Sequence, residues 1–226
     1  LQFRRLGWLA LFGYLHYLLL WDGDILFLYA IAGLIAVQMR HAPPLALMAS
    51  ALFLFSIWQA WGWSMWHGPM TTEAAVADRT ATVTETTAHR QILALYRQTD
   101  VEELARVLGE GRSLIAYKAL EDPLRPLRVV FYALGEVLSL VLIGMALLKT
   151  GFFAGHWRRS SLVWLALGGV GLGTVATVWT AHSAVVAGFP EIAMRFAINY
   201  GLGFARLATA LGYAAALMLG AHWLAT

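Results

Sequence analysis

Long apolar runs alternate along this chain with short polar turns, and the spacing predicts an all-α bundle of membrane-spanning helices. A span needs about 20 apolar residues. The first runs from about Arg5 to Trp21 and the second, shorter one from about Gly23 to Met39. Trp21-Asp22-Gly23-Asp24 is the turn between them. Arg40-His41-Ala42-Pro43-Pro44 is a basic, proline-stopped turn. The third span covers about Pro44 to Met65, and Trp58, Trp61, Trp63 and Trp66 mark where it leaves lipid. The fourth, about Leu127 to Leu148, starts with Pro126 in its first turn. The fifth covers about Ser161 to Ala181 and carries Gly169 and Gly173 at GxxxG spacing, which suits close helix contact. Pro190 to Trp223 is too long for one straight span, so it divides at Gly201 and Gly203. An interfacial or re-entrant piece is then succeeded by a sixth span, about Phe204 to Leu224.

The stretch 67–125 breaks the apolar pattern and holds most of the acidic residues. It reads as a small helical insertion facing solvent. Thr80 to Thr87 suits irregular backbone. Ile92, Leu95 and Tyr96 mark one short amphipathic helix, and Val101, Leu104 and Leu108 mark another. Asp100 with Glu103 forms a capping-box pattern for the second, which Gly109 and Gly111 end. The whole chain, 1–226, then forms one transmembrane domain with this insertion at 67–125.

Composition agrees with a membrane location. Hydrophobic residues make up 60% and charged residues 13%, against about a quarter charged in soluble domains. Mean hydropathy is +0.65. The net charge of +3 comes from basic residues that flank apolar runs, which points to the lipid bilayer as partner and away from nucleic acid. With no cysteine, thiolate metal sites and cysteine nucleophiles are excluded. Arg4, Arg5, Arg40, Lys149, Arg158 and Arg159 fall on one side if spans alternate, and the positive-inside rule makes that side cytoplasmic. The insertion and the Trp21–Asp24 turn then face outward. The chain opens and stops on the edges of apolar runs, the pattern of an internal piece of a longer membrane protein.

Ionisable groups in lipid are costly, so each one has a reason to be there. His16 lies about 8 Å below the outer surface by helical rise, and Glu136 about 14 Å deep. Asp22 and Asp24 sit at the outer turn, His182 closes the fifth span, and Asn199 and Arg206 flank the start of the sixth. All fall in the outer half of the membrane, which suggests a polar cavity reached from outside. His16 with Asp22 or Asp24 suits a general base held by a carboxylate. Contact between them needs the turn to fold back. Glu136 suits an ion pair, with Arg206 its best partner by depth, or a proton site of a transporter. Each has a plainer reading: the two aspartates as headgroup-level turn residues, and His16 as a hydrogen-bond donor to a neighbouring helix. No HExxH, Walker or GxSxG pattern occurs, and no metal site is expected.

Two motifs carry a family resemblance. One is His16, then Trp21-Asp22-Gly23-Asp24-Ile25-Leu26, then Tyr29-Ala30 and Gly33. The other is Leu134-Gly135-Glu136-Val137, then Leu142-Ile143-Gly144-Met145-Ala146-Leu147-Leu148-Lys149 and Gly151-Phe152-Phe153. They resemble the YeiB-type proteins, domain of unknown function 418, a family of multi-pass bacterial inner-membrane proteins. The family's Leu-Asp-x-x-Arg-Gly start and later Gly-Arg-Met-x-Leu-Thr-Asn-Tyr segment are absent. The family is remotely similar to transmembrane acyltransferases of the acyltransferase-3 and heparan-glucosaminide acetyltransferase groups. The resemblance therefore implies transfer from acetyl-CoA or another acyl-CoA donor to a small-molecule or glycan acceptor outside the cytoplasm. No catalytic residue of those relatives maps onto this sequence; His16, Asp22, Asp24 and Glu136 are the catalytic candidates by their own positions. Trp21, Tyr29, His182, Asn199 and Arg206 are the substrate-binding ones. A transporter or permease using the Glu136 carboxylate is the alternative.

Overall fold

A computed structural model describes residues 2–21, 23–109 and 111–224, with the side chains of 106, 111–113 and 222–224 outside the description. Asp22 lies outside the described residues. The described secondary structure is entirely helical: α1 (Gln2–Leu19), α2 (Leu26–Ala36), α3 (Pro44–Ala77), α4 (Val83–Leu108), α5 (Gly111–Leu120), α6 (Arg125–Lys149), α7 (Arg159–Val186), α8 (Glu191–Phe196) and α9 (Gly203–Leu224). Val37–Met39 extends α2 as a 3-10 turn, and Ala197–Gly201 extends α8 as a π turn. Among the described residues four helices are long and apolar enough to cross a membrane: Pro44–Ala77, Arg125–Lys149, Arg159–Val186 and Gly203–Ala221. These features make it a membrane protein. The apolar stretch Leu26–Met39 is shorter than a span, and α1 carries Arg4 and Arg5 in its first turn.

Three boundaries differ from the sequence expectation. First, α3 runs on through Pro69 to Ala77, giving 34 residues. At 1.5 Å per residue that is about 51 Å, against a hydrocarbon core of about 30 Å. The tryptophans mark where a helix leaves lipid, which need not be where the helix ends. Second, α4 is one helix of 26 residues, and Asp100 and Glu103 lie inside it. Third, the capping box sits earlier, at Thr82 and Glu85. Glu85 Oε2 accepts from the Thr82 N–H and hydroxyl, both at 2.8 Å, and Thr82 Oγ1 accepts from the Glu85 N–H at 3.2 Å. The threonines beyond it are absorbed into the helix, because Thr86 and Thr87 hydroxyls donate to carbonyls four residues back.

This box carries a pH prediction. The Thr82 N–H, and after it the Thr82 hydroxyl, hold the Glu85 carboxyl below its usual range. A carboxyl lowered by folding contributes in full above its unfolded pKa, and the contribution is lost as pH falls through the lowered value. Amide exchange in the first turn of α4 should therefore accelerate below the ordinary carboxylate range. Thr82→Ala, which keeps the N–H and removes only the hydroxyl, should lessen that dependence without abolishing it; a first turn equally protected at pH 2 and pH 6 in the wild type would contradict it.

The chain forms two compact units, 1–58 with 94–149 and 59–93 with 150–226. In the first, α1 and α2 form an antiparallel hairpin, and α2 also packs on α6. A Cβ added at Gly13 would lie 2.8 Å from Phe27 Cα, and one at Gly33 would lie 2.8 Å from Leu6 Cδ2. Glycine at these places lets the two helices touch along their length. Trp58 lies over Gly135 and donates from Nε1 to the Tyr132 carbonyl at 3.0 Å. At the other end Lys149 Nζ donates to the Ala42 carbonyl at 2.6 Å. The basic turn after α2 and the basic end of α6 thus lie together, with Arg4 and Arg5 at the same end of the hairpin.

In the second unit α7 and α9 pack through the GxxxG pair. A Cβ at Gly169 would lie 2.9 Å from Gly212 Cα, and one at Gly173 2.8 Å from the Ala205 carbonyl oxygen. The last helical stretch breaks at Leu202, as the glycines suggested. Glu73, buried near the end of α3, braces the short helix before that break. Its Oε1 accepts from Ile192 N–H at 2.9 Å and its Oε2 from Ala193 N–H at 2.8 Å. A carboxylate suits those unpaired donors of the first turn, because the helix dipole is positive there.

Candidate functional site

The polar end of the first unit is built where α1 stops. The N–H groups of Leu20 and Trp21 both donate to the His16 carbonyl, at 2.9 and 3.0 Å, and the chain then turns back into α2. Trp21 folds over Gly23, where a Cβ would lie 2.7 Å from its ring. This reversal brings Asp24 level with His16. His16 Nδ1 lies 3.1 Å from Asp24 Oδ1. That is ion-pair distance but outside hydrogen-bond alignment, and neither atom has a hydrogen-bond partner among the described residues. The Asp24 side chain is 3% exposed and that of His16 32%. Asp24 does a second job: its Oδ2 accepts from the Phe27 N–H at 2.9 Å, filling an orphan donor in the first turn of α2. One carboxylate thus fixes the hairpin and faces the imidazole.

Beside this pair lies a group that was not among the sequence candidates. Tyr17, 1% exposed, donates its hydroxyl to the Asp122 carbonyl at 2.7 Å. Lys118, 2% exposed, donates from Nζ to the Tyr17 carbonyl at 3.0 Å and sits 5.5 Å from the Tyr17 ring centroid. Asp122 Oδ1 accepts from Arg128 Nη2 at 2.5 Å. Lys118, Asp122 and Arg128 are about a hundred positions from α1, and no motif marks them. The one signal was a lysine within the apolar-rich Leu114–Leu120 stretch of a short helix.

The other candidates fall partly in the first unit and partly in the second. Trp21 and Tyr29 are exposed. Glu136 is half-buried within α6 and, among the described residues, pairs with neither His16 nor Asp24. In the second unit His182 is exposed near the end of α7. Asn199 donates from Nδ2 to the Arg195 carbonyl at 2.7 Å. Arg206 donates to the carbonyls of Ile198 and Asn199, the latter at 3.2 Å. Both thereby satisfy backbone groups that the π turn and the helix break leave open. Among the described residues no cluster of three His, Asp or Glu is arranged to hold a metal ion.

Known proteins add one consistent relation. The chain is similar to YeiB. It is 28% identical over 187 residues to Uncharacterized protein YeiB of Escherichia coli (strain K12), covering 77% of this chain and 43% of that protein. It is 46% identical over 55 residues to Uncharacterized protein YxaH of Bacillus subtilis (strain 168), covering 24% of this chain and 14% of that one. The chain therefore spans less than half the length of these relatives. No protein-family profile matches it, and no solved structure does. It is thus a YeiB-like chain whose similarity brings no assigned activity.

The pair itself sets the chemistry. A carboxylate facing Nδ1 favours the tautomer with the proton on that nitrogen and leaves Nε2 to accept one. A part-exposed imidazole beside a carboxylate has the chemistry of a general base on a hydroxyl or amine once the two align.

Proposed function

We propose that this YeiB-like integral membrane protein transfers an acyl group to an extracytoplasmic acceptor, with His16 as general base and Asp24 as its orienting partner. The observation that supports this is the 3.1 Å approach of His16 Nδ1 to the buried Asp24 carboxylate. In the reaction, Nε2 takes the proton from the acceptor hydroxyl or amine as that atom attacks the acyl carbonyl of an acyl-CoA. The carbon–sulfur bond breaks, and the proton passes to the departing thiolate. The acceptor is a glycan or small molecule that meets the exposed Trp21 and Tyr29. Asp22 adds a second acid to the same turn.

In this reading the protein sits in a bacterial inner membrane. The hairpin α1–α2 completes six spans, and 67–125 is the extracytoplasmic insertion. The grouping of Arg40 with Lys149 at the opposite end from His16 supports that orientation. A half-buried carboxylate within a membrane-length helix, Glu136, favours a second reading as a proton-coupled transporter.

Vesicles holding the intact protein, given labelled acetyl-CoA and an oligosaccharide acceptor, separate the two. Label appearing on the acceptor is the expected result. Solute uptake driven by a proton gradient and lost in Glu136→Gln, with no label transferred, would replace the enzyme reading by the transporter one.

A further inference from the structure

We propose that Lys118 is a positioning residue for the His16–Asp24 pair, acting as the C-terminal cap of α1 from a hundred residues away; its catalytic consequence rests on the reading of His16 as the base. In a continuing helix the Trp21 N–H would bond the Tyr17 carbonyl, four residues back. Here it bonds the His16 carbonyl instead, because α1 ends at Leu19 and the Tyr17 carbonyl belongs to its last turn, where acceptors look outside the helix for donors. The Lys118 ammonium supplies a donor at 3.0 Å. A cation is the favoured group there, because the dipole makes a helix C-terminus negative.

The end of α1 at this point is what lets the chain turn back so that Asp24 reaches His16. Tyr17, the capped residue, is next to His16 in sequence, and it is tied a second time by its hydroxyl to the Asp122 carbonyl. Arg128 in turn holds the Asp122 carboxylate. The last turn of α1 is thus gripped by α5 and by the segment leading into α6. The Lys118 bond is made to the carbonyl of the residue next to His16, so its effect on chemistry passes through the backbone on which His16 sits.

The test uses the intact protein in lipid nanodiscs with nitrogen-15-labelled histidine, and His16→Gln to assign the ring signal. In the wild type the His16 ring should show a fixed tautomer with the proton on Nδ1. In Lys118→Met the signal should move toward the mixed tautomers of free imidazole. The transfer kcat should fall about 10–10²-fold with little change in the donor KM, since a displaced base costs rate more than binding. Lys118→Arg, which keeps a cationic donor, should restore both. If Lys118→Met does not fold, Lys118→Gln carries the same two readings. A ring signal and kcat unchanged in the variant, with only thermal stability lost, would overturn the proposal. A ring signal that moves in a protein with no transferase activity would uphold the cap and sink only the acyl-transfer reading.

Discussion

His16→Ala in the intact protein is expected to slow acyl transfer about 10²–10⁴-fold, the usual contribution of a general base. The donor KM should change little, because the imidazole is not needed to hold the acyl-CoA. Asp24→Asn separates the two roles of that residue. Its side-chain oxygen can still accept from the Phe27 N–H, so the hairpin should survive. Its charge is gone, so nothing favours the Nδ1–H tautomer, and the variant should lose most of the same factor. Folding of both variants is checked by thermal unfolding in detergent, and the rate by labelled transfer in vesicles. Full activity in His16→Ala would end its assignment as base, whatever the fate of the fold.

Gly173→Leu should unfold the α7–α9 pair, with a cost at or above the roughly 3 kcal/mol that marks the upper range for overpacking. Even a single added Cβ would lie 2.8 Å from the Ala205 carbonyl oxygen, which is backbone and cannot swing away, and would meet Thr209 Oγ1 as well. Leucine adds three further carbons in the same direction. Gly171 is the internal control. It lies on the same helix, has the same backbone, and nothing stands within 4 Å of its missing Cβ. Gly171→Leu should therefore leave the midpoint of unfolding nearly unchanged. Helix propensity favours leucine over glycine at both positions, so equal losses would mean that the close approach to Ala205 and Thr209 is not what limits position 173.

The two glycine motifs show how far a pattern can be read. GxxxG at Gly169 and Gly173 was legible as a contact surface, because small residues four apart fall on one helix face. Its partner was not legible, since Ala205, Ala208 and Gly212 look like ordinary membrane-helix composition. The break near Gly201 and Gly203 was visible as an excess of length over what one span needs. That Arg206 and Asn199 satisfy carbonyls there was not visible, because backbone left open by a π turn exists only once the turn is formed. Thr82 to Glu85 matched the capping-box spacing as well as Asp100 to Glu103 did. The apolar pattern pointed to the wrong one, because α4 is a polar helix that continues where its hydrophobic period lapses.

By itself the sequence determined the apolar runs, hence an all-helical membrane protein, and the placing of its basic residues at span ends. Those are local properties: hydropathy over about 20 residues and charge at the flanks need no knowledge of what lies beside them. It also placed a histidine and two acids about one reversed turn apart. Only the tertiary structure decided that Asp24 closes on His16 and that Lys118 and Tyr17 tie down the end of α1. It decided as well that Glu73 supports α8. Each of these joins groups whose approach is set by where a helix stops and what packs against its end. A carbonyl or N–H left open at such an end can be met by a charge from anywhere in the chain, and sequence distance carries no trace of it.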